Sequence, residues 1–149
     1  LVPIAFCLGF AILGLAQWIK RKHFLKVDYS VLVLGGFYIV VMAVYVLFEY
    51  VVINRRPVLI EGYLQASYPS STTMLVMCVM PPAIMQLHDR IQNALLRKCV
   101  AVAIGTFTVF MVIGRIVSGV HWLTDIIGGA LISAGLVMGY QFLCDLKQK

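Results

Sequence analysis

Charged residues divide this chain into a few long uncharged stretches, and that spacing limits what it can fold into. The runs free of charge are 1–19, 29–48, 62–87, 99–114 and 126–144. A bilayer core of about 30 Å is crossed by about 20 helical residues. Four of the runs reach or approach that length, and 99–114 reaches it if the helix continues through Arg115. Turn-forming Gly62, Ser67, Pro69 and Ser70 open the third run, so its helix is expected to begin near residue 70. The pattern predicts an all-α, multi-pass bundle with five spans, at about 1–18, 29–52, 70–87, 98–117 and 121–144. Charged residues make up 12% of the 149, against about 25% in soluble domains. That excludes a soluble globular domain, a disordered chain and a nucleic-acid-binding module.

Within the spans, Pro81-Pro82 is expected to kink rather than end a helix, since a bundle can re-satisfy the freed backbone groups. Gly128, Gly129, Ser133 and Ala134 give small-residue spacings that allow close helix approach. Cys7, Cys78, Cys99 and Cys144 follow no disulfide or metal spacing and read as small packed residues. No repeat or linker divides the chain, so a single domain covering 1–149 is expected. It opens on Leu1 inside an apolar run, which suggests a further segment upstream.

Alternating spans sort the basic residues into two groups. Lys20, Arg21, Lys22, Lys26, Arg90, Arg97, Lys98, Lys147 and Lys149 fall on one side; Arg55, Arg56 and Arg115 fall on the other. The larger group is expected to face the cytoplasm. Trp18, Tyr50, Tyr68, Trp122 and Tyr140 lie near span ends, as an interfacial aromatic belt would.

The three outer arginines sit beside other unusual residues: Asn54-Arg55-Arg56-Pro57, Tyr68-Pro69-Ser70-Ser71-Thr72, and Gly114-Arg115-x5-His121-x3-Asp125. Pro69-Ser70-Ser71 forms a helix start whose orphan N–H groups attract phosphate. Arginine forks match phosphoryl oxygens. His121 and Asp125, at i and i+4, share a helix face, where a carboxylate could hold one ring nitrogen and leave the other to attack phosphorus. Each feature alone has a structural explanation: a snorkelling arginine, a helix cap, a packed pair. Three on one membrane face point to phosphoryl transfer.

These residues resemble the membrane-bound type-2 phosphatidic acid phosphatase family, the lipid phosphate phosphatases. Its signature reads K-x6-R-P, P-S-G-H and S-R-x5-H-x3-D. Here the parts are Glu49-x6-Arg56-Pro57, Pro69-Ser70-Ser71-Thr72 and Gly114-Arg115-x5-His121-x3-Asp125. The family usually has six spans, so a sixth would lie upstream of Leu1. The resemblance implies that His121 is a nucleophile forming a phosphohistidine and that Asp125 orients it. Arg56, Arg115, Ser70 and the backbone near Ser71 would hold the phosphoryl oxygens. It also implies a membrane lipid phosphate or diphosphate as substrate, a site on the extracytoplasmic face of the cell membrane, and neither metal nor cofactor.

Two positions depart from the signature. Glu49 replaces a lysine, with Arg55 available to restore the charge or Glu49 to pair with an arginine. Thr72 replaces the histidine that protonates the leaving group, with Glu61 and Tyr68 as substitute acids. A lipid alkoxide needs a proton to leave, whereas a lipid monophosphate leaving a diphosphate, with a second pKa of about 6, does not. Activity is therefore expected to favour diphosphates such as polyprenyl diphosphates. The alternatives are a catalytically impaired member that binds phosphorylated lipid and, less favoured because no charge sits mid-span, a transporter or channel subunit.

Overall fold

A computed structural model of the chain describes residues 1–23, 27–60 and 62–146. Lys26, Lys147, Lys149 and Glu61 lie outside the described residues. Five helices follow in order: α1 (Val2–Arg21), α2 (Tyr29–Tyr50), α3 (Ser71–Arg90), α4 (Ala94–Val117) and α5 (Leu123–Asp145). Among the described residues there are two isolated β-bridges, Arg55 with Ala66 and Ile60 with Tyr63, and no strand.

The ends of the helices have local causes. Lys22 turns left-handed (φ 51°) and stops α1. The side chain of Asn93 accepts the N–H of Leu96 at 3.0 Å. That cap starts α4 four residues before the expected position, so α3 and α4 are joined by only 91–93. Gly119, at φ +65°, supplies the turn between α4 and α5. α3 runs through Pro81 and Pro82 to Arg90 as one helix.

Four of the five helices, α1, α2, α4 and α5, are long and apolar enough to cross a membrane. α3 falls short because it carries Ser71, Thr72, Thr73, Gln86 and His88-Asp89-Arg90. It is nonetheless the centre of the bundle, touching all four other helices. Met74, Val76, Cys78, Val79, Met80 and Ala83 are all buried. Polar residues on a helix are tolerated at this depth when protein, not lipid, surrounds them.

Small residues bring α5 against α3. A Cβ on Gly129 would lie 3.3 Å from the Ser70 carbonyl oxygen. Ser133 donates to the Gly129 carbonyl at 2.7 Å and lies 3.4 Å from that of Met74. At the end of the bundle away from His121, Gln86 ties the helices together. It donates to the Tyr140 hydroxyl at 2.6 Å and the Ser30 carbonyl at 3.1 Å, and it accepts from Arg90. There Asp28 accepts from Gln17 at 2.7 Å and Arg21 at 2.9 Å.

Candidate active site

The other end of the bundle gathers three separate segments: the 51–70 connection, the start of α3, and the short link 118–122. Asp125 is the organising residue and is fully buried. Its carboxylate accepts the N–H of Trp122 at 3.0 Å, closing the first turn of α5. It also accepts the Ser67 hydroxyl, and the Asn54 amide at 3.4 Å. Its own carbonyl accepts the Ser70 N–H at 3.0 Å. Trp122 donates its ring N–H to the Arg55 carbonyl at 2.9 Å, fixing the same connection from above.

His121 precedes α5 and is 6% exposed. Its Nδ1 lies 3.1 Å from the Ser67 carbonyl oxygen and 3.2 Å from the Ser67 hydroxyl. A carbonyl only accepts, so Nδ1 carries the proton and Nε2 keeps its lone pair. Nε2 is buried and has no hydrogen-bond partner. Asp125 lies 3.9 Å from Nδ1, beyond a hydrogen bond. The expected direct grip of the carboxylate on the ring is therefore replaced by Ser67, whose hydroxyl stands between them. Burial pushes the His121 pKa down, and the charges of Arg56 and Arg115 push it the same way, against the Ser67 carbonyl and Asp125. A neutral imidazole results.

A cavity of about 100 Å³ opens beside His121. Arg56, Ser71, Glu49, Gln65, Tyr45 and Tyr68 are among its lining residues. The Nε atoms of Arg56 and Arg115 are buried and unpartnered, as Nε2 of His121 is. The two arginine N–H groups are buried donors whose desolvation cost an anion with several acceptor oxygens would remove, while Nε2 of His121 presents a lone pair to the same neighbourhood. Ser71 opens α3, so the first N–H groups of that helix precede its first internal bond, from Met74 to Ser70. A second, apolar pocket of about 250 Å³ adjoins the cavity. It shares Tyr45 and Ser71 with the cavity and is otherwise lined by Val41, Met42, Thr72, Met74 and Leu75.

Other sequence-predicted residues are placed differently. Ser70 is fully buried at the seam with α5, its hydroxyl accepting from Thr73 at 3.1 Å, and it does not line the cavity. Arg55 turns away, donating to the Leu64 carbonyl at 2.9 Å, so it does not restore the missing first-motif charge. Glu49 lines the cavity but forms no ion pair among the described residues. Thr72 accepts from Arg115 at 2.5 Å. The Tyr68 ring lies on Gly128 of α5, where a Cβ would fall 2.3 Å from the ring and 2.6 Å from its hydroxyl.

Two residues escaped the sequence reading. Ser67 stood out only as a turn former, and Asn54 only as a neighbour of the arginines. The one available signal was their nearness to the P-S and R-P pairs.

The profile of the PAP2 superfamily matches residues 49–143, from Glu49 through the end of the site and into α5. The chain belongs to the PAP2 superfamily. Its fold is similar to that of a transmembrane PAP2-type phosphatidylglycerolphosphate phosphatase from Bacillus subtilis, at a TM-score of 0.65 and 26% identity. The match covers 97% of this chain and 71% of that one. No match was found among curated proteins. This PAP2 chain is thus a membrane protein of the lipid phosphatase type.

Proposed function

We propose that the protein hydrolyses lipid phosphates and diphosphates without a metal, through a phosphohistidine at His121, on the extracytoplasmic face of the cell membrane. The observation that carries this reading is the buried, unpartnered Nε2 of His121. Its ring is held through Nδ1 by Ser67, and it lies beside a cavity also lined by Arg56. In the first step the Nε2 lone pair forms a bond to phosphorus as the bond to the leaving oxygen breaks. Arg56, Arg115 and the opening N–H groups of α3 stabilise the charge on the equatorial oxygens. Asp125 acts at one remove, fixing Ser67 and the start of α5. The apolar pocket between α2 and α3 offers room for a lipid tail.

The substrate of the Bacillus subtilis relative, phosphatidylglycerolphosphate, is a lipid phosphate, which supports that class here. Thr72 narrows it. A threonine hydroxyl engaged by Arg115 is a poor proton source, so diphosphates, polyprenyl diphosphates among them, are the favoured substrates. The same contact supports a second reading, a member that binds phosphorylated lipid and turns it over poorly.

Phosphate release from farnesyl phosphate and farnesyl diphosphate by purified protein in EDTA separates these. The expected result is turnover of both, with kcat/KM higher for the diphosphate, and none for His121→Ala. Equal rates on the matched pair refute the preference. No turnover of either supports the binding reading.

A further inference from the structure

The geometry points to Glu49 as the general base that activates water to hydrolyse the phosphohistidine. The inference rests on the phosphohistidine reading above and adds the half of the cycle which that reading leaves open. A lipid monophosphate departs from a diphosphate substrate without needing a proton, so the first step proceeds with no acid at position 72. The second step has no such freedom: whatever left, the attacking water must lose a proton. The Thr72 hydroxyl, already held by Arg115, is not suited to take it.

Among the described residues, Glu49 is the one carboxylate that lines the cavity with His121 and Arg56. It is exposed at the end of α2, whereas His121 is buried. It also stands where a structural role is hard to find. It lies in the last turn of α2, at the negative end of the helix dipole, with no basic residue in that turn and no ion pair among the described residues. The remaining groups around the cavity are otherwise placed. Asp125 is buried and holds Ser67 and Trp122. The Tyr68 ring is pressed onto Gly128.

The step balances. Water oxygen bonds to phosphorus while the P–Nε2 bond breaks and its electron pair returns to Nε2. The water proton passes to the Glu49 carboxylate and then to solvent. His121, which kept its Nδ1 proton throughout, ends as neutral imidazole.

The test uses p-nitrophenyl phosphate, whose leaving group needs no acid, with Glu49→Gln, which keeps the shape and cannot accept the proton. Slowing only the second step lowers kcat and KM together and leaves kcat/KM near the wild-type value. The expected result is a stoichiometric burst of nitrophenolate followed by a kcat about 10²-fold below wild type. Acid-labile phosphoprotein should accumulate, and formate should restore turnover to Glu49→Ala. Wild-type kcat, or kcat and kcat/KM falling together with no phosphoprotein, overturns the assignment. If Glu49→Gln fails to fold, Glu49→Asp carries the same comparison, with lowered kcat at unchanged kcat/KM as support and wild-type kcat as refutation. A dead His121→Ala beside a wild-type-like Glu49→Gln removes the base alone. An active His121→Ala removes the phosphohistidine and the base with it.

Discussion

A histidine nucleophile has to be neutral, correctly protonated and free at one nitrogen. Ser67 supplies the second condition through its carbonyl, and the third is visible as an unpartnered Nε2. The first follows from burial and from Arg56 and Arg115, which hold the pKa below the ordinary 6.5. The sign is that of a depressed base. Above 6.5 the group is neutral both folded and unfolded, and its contribution to stability is fully present. That contribution is lost as pH falls through the lower folded pKa. With the free protein, ¹³C-labelled histidine should show a His121 midpoint under 6.5, and a midpoint at or above it contradicts the account. Ser67→Ala keeps the carbonyl but removes a donor from buried Asp125. Losing one hydrogen bond to a charged group, with Trp122 and Asn54 still donating, costs about 1.5–3 kcal/mol, and kcat should fall roughly tenfold or more at about 1.36 kcal/mol per tenfold. Asp125→Asn should cost more, because it also weakens the cap of α5. Steady-state rates on farnesyl diphosphate order the two.

At the scale of elements, the site depends on α5 lying close to α3 and to the connection before it. Gly128 admits the Tyr68 ring, which also packs edge-on against Phe48 with centroids 5.6 Å apart. Gly128→Ala forces that ring away and with it the neighbouring Ser67, at a cost of about 1–3 kcal/mol for overpacking. Gly139, on the same helix, has open space where a Cβ would go. Thermal melts in detergent should show Gly128→Ala destabilised with reduced turnover, and Gly139→Ala near wild type in both. The small-residue spacing on α5 was legible in the sequence, as were the five helices, because each is a property of consecutive residues. The Ser67 hydroxyl reaching a carboxylate 58 positions on was not. It depends on the path of an irregular connection, which carries no periodic signal. The i,i+4 spacing of His121 and Asp125 read as a direct contact because it assumed one helix, whereas His121 stands before the helix begins.

For the whole molecule, alternation of the five helices puts Arg56, Arg115 and His121 at one end and Arg21, Arg90, Arg97 and Lys98 at the other. By the positive-inside tendency the second end is expected to face the cytoplasm, in keeping with the proposed function. Gln65 and Gln92 are exposed at opposite ends. As single cysteines in a background lacking Cys7, Cys78, Cys99 and Cys144, they should label from opposite sides of intact cells. External labelling of position 92 by an impermeant reagent refutes the orientation.

The central position of α3 bears on how the chain enters the membrane during synthesis. A segment too polar to partition into lipid by itself has no stable place there until neighbours shield it. α4 and α5 provide much of that cover, and both are made later. When the ribosome has just finished residue 93, α3 should be poorly committed to the bilayer. Its retention should then improve as α4 and α5 emerge. Reporters fused after residue 93 should therefore give mixed topologies, while fusions to the full chain give one. Uniform topology at both lengths would mean that α1 and α2 suffice to hold α3 in place.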